Sequence, residues 1–335
     1  QSILFILTCL GLLSFFNRIN IYDNEKFPHQ NFTSKNYVLP IGGYFIVIFF
    51  IIFGFKIIDY SFIYILLLFI IGTLSDLKKF NSPKYRFIAQ SLIVLFFIIH
   101  FEVKIISTRL DFLDLLIQNN YFNYIFVSFC FLILINGSNF IDGLNGLVIL
   151  YYLSICAILH LSGLDFKFYE NNLFFENIVY ILIFILIFNF SNKVYLGDGG
   201  SYLIGFLFAY YLISIYYQNS QVSPFFIILL LWYPCFENLF SILRKIKFKK
   251  SAAEPDTKHF HQLLFYYFSK TLKHKKIYIN NFTSIIINIF NIMIFFIGSK
   301  YLAKTNIQIA LISFSLITYL YLYFLLFKYR YKKIK

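Results

Sequence analysis

Hydrophobic runs of about 15 to 22 residues fill most of this chain, and only short polar gaps separate them. Runs of this length cross, or nearly cross, a bilayer as helices. The chain is 60% hydrophobic and 13% charged, whereas roughly a quarter of the residues of a soluble domain are charged. The sequence therefore predicts an all-α, polytopic integral membrane helical bundle and excludes an ordinary soluble domain.

Eleven runs are candidate transmembrane helices, and a count of ten stays open because two neighbouring runs could fuse. They are Ser2–Phe16, Gly42–Ile58, Tyr60–Leu74, Arg86–Phe101, Tyr121–Ile135, Leu144–Leu161, Glu176–Phe190, Tyr202–Tyr217, Pro224–Leu243, Phe282–Ser299 and Ile307–Phe327. We expect the first run to be a retained helix rather than a signal peptide, because it has no basic leader. We also expect a single transmembrane domain over residues 1–335, with a basic loop at 244–281 and an interfacial helix within 102–120.

Lys and Arg are distributed unevenly between the two sides of this predicted bundle. If all eleven runs cross the membrane, 23 of the 29 Lys and Arg residues lie in the odd-numbered gaps and at the C-terminus. The positive-inside rule assigns that side to the cytoplasm. The net charge of +14 is then explained by orientation and by contact with anionic membrane lipid. Binding of nucleic acid is therefore not expected.

The segments richest in polar and glycine residues all lie on that same side. They are Leu39-Pro-Ile-Gly-Gly43, Gly72-Thr-Leu-Ser-Asp76 with Ser82-Pro-Lys-Tyr-Arg86, Asn136-Gly-Ser-Asn-Phe-Ile-Asp-Gly-Leu-Asn-Gly-Leu147, Val194-Tyr-Leu-Gly-Asp-Gly-Gly-Ser201 and Pro255-Asp-Thr-Lys-His-Phe-His261. Ionisable groups at membrane depth are costly and are usually functional. The pattern predicts one membrane-embedded site that opens to the cytoplasm.

Asp198 lies among glycines just before a hydrophobic run. Backbone N–H groups at such a helix start could bind an anion, while the carboxylate could hold Mg²⁺ against the same phosphates. The alternative is an ordinary helix N-cap.

Asn139, Asp142 and Asn145 are spaced by three, which puts them on one face of a helix or helix entry, where they could bind a nucleotide. Their alternative role is to satisfy the backbone of an interrupted helix.

Asp76 precedes four basic residues, including Lys84 and Arg86, and it is either a phosphate-site residue or a simple topology anchor. His259 and His261 flank one phenylalanine. In an extended segment their imidazoles would point the same way, suited to phosphate or metal, whereas in a helix they would diverge. A surface pair is the alternative for these two histidines.

Taken together, the motifs resemble those of one family. Asn-x-x-Asn-x-x-Asp-Gly-Leu-Asn-Gly-Leu, Tyr-Leu-Gly-Asp-Gly-Gly-Ser and Asp-x-x-His-x-His, in this order, are similar to the polyprenyl-phosphate N-acetylhexosamine-1-phosphate transferases of glycosyltransferase family 4. The resemblance extends from about residue 40 to residue 261. It implies transfer of a sugar-1-phosphate from a UDP-sugar to undecaprenyl phosphate, with release of UMP, in the bacterial cytoplasmic membrane. It also implies dependence on Mg²⁺, with Mn²⁺ as a substitute.

The resemblance implies a role for each motif. Asp198 would be the principal Mg²⁺ ligand, and the ring of Tyr195 would stack on uracil. Lys84 and Arg86 would lie near the lipid phosphate, and Asp76 would stand in the family's paired-Asp motif. The remaining implied residues are Asn139, Asp142 and Asn145 at the nucleotide, and His259 and His261 near the diphosphate.

This sequence departs from the family pattern at three positions. Ser75 stands where relatives have the first of two adjacent Asp residues, a candidate base for the lipid phosphate. A phosphate monoester has a second pKa of about 6 and is mostly dianionic at neutral pH, so a reaction without a base is reasonable. Asn145 replaces a frequent Asp, and Gln262 replaces a frequent third His. These two changes bear on the choice of donor.

The His-x-His motif favours the N-acetylglucosamine type of enzyme over the phospho-N-acetylmuramoyl-pentapeptide translocases. The first expectation is therefore initiation of a surface polysaccharide such as O-antigen, and the second is peptidoglycan precursor synthesis. A non-enzymatic flippase or transporter is a rival, although such a protein would place polar groups at mid-membrane and on both faces. A degenerate transferase that only binds substrate, and a homodimer, also stay open.

Overall fold

The structure is a computed structural model, and it describes residues 2–18, 38–53, 61–164, 173–247 and 258–331. Within these ranges the regular structure is helical, and a single parallel bridge joins Leu39 to Val194. The helices are α1 (Ser2–Arg18), α2 (Gly42–Phe53), α3 (Ser61–Asp76), α4 (Pro83–His100), α5 (Asp111–Ile117), α6 (Asn120–Ile141), α7 (Leu147–Leu161), α8 (Leu173–Phe190), α9 (Gly197–Gln218), α10 (Pro224–Lys247), α11 (Phe260–Thr271), α12 (Lys276–Ser299) and α13 (Thr305–Tyr331).

Each of the eleven predicted hydrophobic runs corresponds to one of these helices. Among the described residues, α6, α9, α10, α12 and α13 are long and apolar enough to cross a membrane. Helices α1, α2, α3 and α7 and the described part of α8 are apolar but shorter. The prediction of an all-α integral membrane protein is therefore confirmed, while the number of crossings stays a prediction.

Several helices extend beyond the hydrophobic runs that predicted them. Helix α9 begins at Gly197 rather than at Tyr202, and α6 continues to Ile141 rather than ending at Ile135. Hydropathy shows which residues are apolar enough to contact lipid. The backbone can stay helical beyond them, through polar residues whose side chains form hydrogen bonds within the protein. As a result, Asp198 and Asn139 lie inside helices, where their directions are set by the helix rather than by a loop.

The segment 244–281, predicted as a basic loop, is largely helical in its described part. Helix α10 continues to Lys247, α11 follows at Phe260–Thr271, and α12 begins at Lys276. Lys and Arg favour helices and interact well with a helix C-terminus, so the end of α10 does not follow the end of its hydrophobic run. Residues 248–257, which include Asp256 of the His-x-His motif, lie outside the described residues.

Helix α5 lies in the segment predicted to be interfacial. It begins only at Asp111, later than the apolar pattern suggested, and it exposes Phe112 and Leu115. Two large exposed apolar side chains on a short helix between α4 and α6 agree with a position at the membrane surface.

Helix α9 forms the centre of the bundle, and α2, α3, α6 and α10 pack around it. Glycines permit this close packing. A Cβ atom at Gly72 of α3 would overlap the backbone of Gly199, and one at Gly205 would meet the backbone of Ile135 in α6. Small residues at such crossings let helix backbones approach closely. The approach brings the ends of α3 and α6 against the start of α9, where the motif residues lie.

Candidate active site

The carboxylate of Asp198 is the centre of a polar cluster at the start of α9. Its Oδ1 accepts a hydrogen bond from Nδ2 of Asn139 at 2.7 Å. Its Oδ2 accepts from Oγ of Ser75 at 2.6 Å and from Nη1 of Arg86 at 2.9 Å, and Arg86 also donates to Ser75. The Arg86 and Asp198 side chains are 21% and 27% exposed. Four helices thus contribute to a charged cluster that solvent still reaches.

Asp76, the last residue of α3, contacts the backbone of the same helix start. Its two carboxylate oxygens accept hydrogen bonds from the backbone N–H groups of Asp198 at 2.9 Å and Gly199 at 3.2 Å. Leu196, at the N-cap position of α9, has no side-chain acceptor, so Asp76 supplies the cap from another helix. The expectation that these N–H groups are open to a substrate anion is therefore wrong for Asp198 and Gly199.

Asn139 and Asp142 lie on the Asp198 side of the connection between α6 and α7. Helix α6 ends at Ile141, and Asp142 is its C-cap. The side chain of Asp142 is half-buried. Burial and the nearby Asp198 charge raise the pKa of the Asp142 carboxyl well above its usual range, against a hydrogen bond from the Gly197 backbone. Asn139 and Asp142 therefore both lie near Asp198, and their expected role at a nucleotide stays a prediction.

Asn145 departs from that expectation. It is buried, its backbone N–H donates to Oδ1 of Asn280 at 2.7 Å, and its Nδ2 lies 3.5 Å from Oδ1 of Asn192. The chain has left the helix by this point, because α7 starts only after Gly146, which has a positive φ of 72°. The three-residue spacing consequently does not place Asn145 on the face that carries Asn139.

Tyr195 is also buried. Its hydroxyl donates to Oδ1 of Asn192 at 3.0 Å, and its backbone pairs with Leu39 and Gly42, with N–O distances of 2.9 Å. This pairing attaches the Leu39-Pro-Ile-Gly-Gly43 segment to the motif that contains Asp198. Lys84 lies near the start of α4 and is exposed. The roles expected of Tyr195 at uracil and of Lys84 at a phosphate stay predictions.

The His-x-His motif folds back onto the α6–α7 connection. His259 is the N-cap of α11 and has extended dihedral angles, so its ring and that of His261 stack, 5.6 Å apart and 11° from parallel. Nδ1 of His259 lies 2.9 Å from Oε1 of Glu237. His261 is fully buried against Gly143. The two rings are thus nearly parallel even though a helix begins between them.

The ring of His261 has no hydrogen-bond partner among the described residues. Burial, followed by the charge of His259, lowers the pKa of His261 to about 3. A neutral imidazole with an unused acceptor and an unused donor is costly to bury. The motif therefore places the His261 imidazole, which lacks hydrogen-bond partners among the described residues, beside the turn that carries Asp142.

Glu237 also belongs to this region, although none of the sequence motifs contains it. It lies fully buried within α10 and accepts hydrogen bonds from His259 and from Tyr319 of α13. The available signal was a single carboxylate inside the Pro224–Leu243 hydrophobic run, since an intramembrane ionisable residue is usually functional. Its partner Tyr319 gave no such signal, because tyrosines are frequent throughout this chain.

The oxygen ligands at Asp198 fit a divalent cation of the magnesium type. Among the described residues no group of three or more His, Cys, Asp and Glu side chains is arranged to hold a metal ion. Mg²⁺, however, is usually bound by one or two carboxylates together with substrate phosphates. Asp198 and Asp142 repel each other, as the raised pKa of Asp142 indicates, and a cation beside them would relieve that repulsion.

Comparison with known proteins finds a family and several relatives that this chain resembles. The glycosyl transferase family 4 model matches residues 58–216. An undecaprenyl-phosphate alpha-N-acetylglucosaminyl 1-phosphate transferase of Thermotoga maritima is 26% identical over 229 residues, which cover 68% of this chain and 67% of that protein. A probable undecaprenyl-phosphate N-acetylglucosaminyl 1-phosphate transferase of Bacillus subtilis is 28% identical over 200 residues, covering 58% of this chain and 54% of that protein.

A third relative is the decaprenyl-phosphate N-acetylglucosaminephosphotransferase of Mycobacterium tuberculosis, 28% identical over 152 residues. This match covers 39% of the present chain and 38% of that relative. The chain thus spans about half the length of the second relative and less of the third. The family match includes the segments that form the Asp198 cluster. The predicted resemblance to this family and the prediction of a transferase are confirmed. Over residues 58–216 the chain is similar to glycosyl transferase family 4.

Proposed function

We propose that this protein transfers an N-acetylhexosamine-1-phosphate from a UDP-sugar to a polyprenyl phosphate and releases UMP. Undecaprenyl phosphate is the acceptor that we expect. The observation that carries the proposal is the Asp198 cluster, in which carboxylate, amide and guanidinium groups from separate helices meet at the edge of a membrane bundle. Such a set can contact a diphosphate, a metal ion and a lipid phosphate together. The names of the relatives describe this reaction class.

In the proposed reaction, an oxygen of the lipid phosphate attacks the β-phosphorus of the UDP-sugar. The bond from that phosphorus to the bridging oxygen breaks, and the oxygen leaves with UMP. The products are a lipid diphosphate sugar and UMP. The chemistry is mostly positioning and neutralisation of charge, as in phosphoryl transfer generally. The residues of the cluster have groups suited to both tasks.

Asp198 would hold Mg²⁺, with Asp142 as the neighbouring carboxylate, and Mn²⁺ would substitute. When bound, the ion supplies charge neutralisation for the donor diphosphate. Asn139 orients the Asp198 carboxylate through its 2.7 Å hydrogen bond. Asp76 holds the start of α9 in place through two backbone N–H groups. In this proposal Asp76 acts by positioning Asp198 rather than by contacting the reacting atoms.

Arg86 would bind a phosphate when substrates are present. Without them its guanidinium pairs with Asp198, and a dianionic phosphate is the stronger partner for an arginine. Ser75 contacts both side chains and keeps them aligned without adding a second negative charge. A reaction without a general base accordingly fits this site, because the lipid phosphate is already mostly ionised at neutral pH.

We propose that the site lies on the cytoplasmic side of a bacterial inner membrane. Its product would initiate a surface polysaccharide of the O-antigen type. The orientation is supported by the uneven distribution of Lys and Arg. It is tested by labelling a Lys273→Cys variant, since Lys273 is exposed between α11 and α12. A membrane-impermeant maleimide should react with it only after the cells are permeabilised. Labelling in intact cells would contradict the orientation.

The experiment that tests the activity uses purified protein in detergent with undecaprenyl phosphate, Mg²⁺ and a panel of radiolabelled UDP-sugars. We expect UMP release and organic-extractable label with UDP-N-acetylglucosamine or its 4-epimer. A parallel reaction with decaprenyl phosphate measures the preference for the length of the lipid chain. The relatives differ in this respect, since one is named for undecaprenyl phosphate and another for decaprenyl phosphate. The panel includes UDP-N-acetylmuramoyl-pentapeptide as a donor. If the protein binds UDP-sugars but releases UMP from none of them, it is a binding or transport protein instead.

A further inference from the structure

Glu237 is surrounded by hydrogen-bond donors in the interior of the protein. Oε1 lies 2.9 Å from Nδ1 of His259 and 3.4 Å from the backbone N of Phe260, and Oε2 lies 2.7 Å from the hydroxyl of Tyr319. The glutamate side chain is fully buried. An ionised carboxylate is an acceptor only, and three donors around its two oxygens are the arrangement that such a group requires.

This geometry determines which nitrogen of His259 carries hydrogen. Because an ionised carboxylate can only accept, Nδ1 of His259 is the donor in its contact with Glu237. Nε2 is then the nitrogen left for another partner. The imidazole contacts the rings of Phe140 and His261, each with its centroid 5.6 Å away. Its orientation is therefore set by two ring contacts and by the hydrogen bond at one nitrogen.

The donors come from elements that are far apart in the sequence. Glu237 belongs to α10, His259 caps α11, and Tyr319 belongs to α13, which lies beyond residues 58–216 that the family model matches. Several other titratable groups surround this set. They are Tyr233 and Lys245 of α10, Tyr323 of α13, His261 of α11, Lys258 before α11, and Arg244, which donates to the Tyr323 hydroxyl and the Lys258 carbonyl.

We propose that Glu237 and Tyr319 are positioning residues that act through His259, and that they hold its Nε2 toward a phosphate oxygen of the UDP-sugar. The inference rests on the proposed function. A histidine whose second nitrogen is fixed by a carboxylate has a defined tautomer and orientation, and loss of such a partner commonly costs 10- to 100-fold in function at comparable sites. The alternative is a purely structural role, in which the hydrogen bonds of Glu237 only hold α10, α11 and α13 together.

The test is a double-mutant cycle measured by UMP release. Glu237→Gln keeps the size of the side chain and removes its charge, and we expect kcat/KM for the UDP-sugar to fall by roughly 10- to 100-fold. Most of the fall should appear in KM if His259 contacts the donor in the ground state, and in kcat if the contact forms during transfer. In a His259→Ala background the same change should cost less than about twofold.

Tyrosines of α13 provide a matched pair of variants. Tyr319→Phe removes the hydroxyl that donates to Glu237, and we expect roughly a fivefold loss, the equivalent of one hydrogen bond. This loss should also vanish in the His259→Ala background. Tyr323→Phe is the control, because the Tyr323 ring stacks on Tyr319 while its hydroxyl accepts from Arg244. It should change kcat/KM by less than about twofold.

The outcomes separate this inference from the proposed function. If wild-type protein releases UMP and the Glu237 and Tyr319 effects are the same with and without His259, the two residues are structural and the inference is overturned. If wild-type protein releases no UMP from any UDP-sugar, the proposed function fails and the inference fails with it. Should Glu237→Gln not fold, the cycle between Tyr319→Phe and His259→Ala decides the matter.

Discussion

Two polar clusters lie at opposite ends of α4, and they are built differently. Beside the start of α4, Arg86 and Asp198 pair with each other across helices. Beyond its end, Arg109 donates to the backbone carbonyls of residues 221, 222 and 303, and Asp114 of α5 accepts from Ser107 and Thr108 in the loop before that helix. The first cluster joins oppositely charged side chains to each other, whereas the second joins charged side chains to backbone carbonyls and to neighbouring hydroxyl groups.

The difference indicates what each cluster does. Bonds between a side chain and a backbone carbonyl or a loop neighbour close loops and satisfy helix ends, which is a structural task. Opposite charges that face each other at a solvent-reached edge can instead exchange partners when an anion or a cation arrives. We therefore expect changes in the Arg86 and Asp198 cluster to affect activity, and changes in the Arg109 and Asp114 cluster to affect stability.

Asp198→Asn should have the largest effect on activity. A neutral amide is a much weaker ligand for Mg²⁺ than a carboxylate, and the loss of several kcal/mol of charge stabilisation corresponds to a fall of at least about 100-fold in UMP release. The variant should still fold, because Asn accepts the hydrogen bonds of Ser75 and Arg86. Asp114→Asn is the control and should keep its specific activity. Retention of more than about a tenth of the activity by Asp198→Asn at saturating Mg²⁺ would remove Asp198 as the essential ligand.

The two arginines provide the second comparison. Arg86→Gln should lower kcat/KM by about 10- to 100-fold, because a charge-assisted hydrogen bond to phosphate is worth about 1.5–3 kcal/mol. Arg109→Gln should leave kcat/KM nearly unchanged and lower the midpoint of thermal unfolding in detergent, since it loses its bonds to carbonyls of two connecting segments. The comparison fails if both variants lose activity in parallel.

Ser75→Asp should change the rate by less than about tenfold, and in the downward direction. Oγ of Ser75 lies 2.6 Å from Oδ2 of Asp198, so a carboxylate at position 75 would add negative charge beside Asp198 and the nucleophile. The pH–rate profile of wild-type protein should rise through about pH 6 with ionisation of the lipid phosphate, and then level off. A large gain of activity in Ser75→Asp would instead mean that a base is needed and that the native chain is a degenerate transferase.

The smallest effect concerns acid stability at Asp114. Partial burial acts to raise its pKa, but hydrogen bonds from Ser107 and Thr108 prevail and lower it. A depressed carboxyl pKa stabilises the fold above the unfolded value of about 3.9 and loses that stabilisation as the pH falls through the folded value. Between about pH 5 and 3, wild-type protein should therefore lose more thermal stability than Asp114→Asn does. Equal slopes for the two proteins would contradict the structural assignment of this cluster.

Much of the bundle could be predicted from the sequence because bilayer insertion depends on composition. Each of the eleven apolar runs corresponds to a described helix, and the motifs predicted the resemblance to the family. Helix ends were predicted less well, since the helix continues where lipid contact stops, as at Lys247 of α10. The helix α11, which is only partly apolar, was assigned to a loop for the same reason.

Within the candidate site, the sequence by itself determined which chemical groups are present, because carboxylates, amides and glycines at helix ends are legible as motifs. Only the tertiary structure decided their partners. The close approach of α3 to α9 made Asp76 a cap rather than a free acid, and the exit from α6 before Asn145 turned that side chain away. The packing of α10, α11 and α13 brought Glu237, His259 and Tyr319 together. Such contacts depend on how distant helices cross, and local sequence patterns carry no information on those crossings.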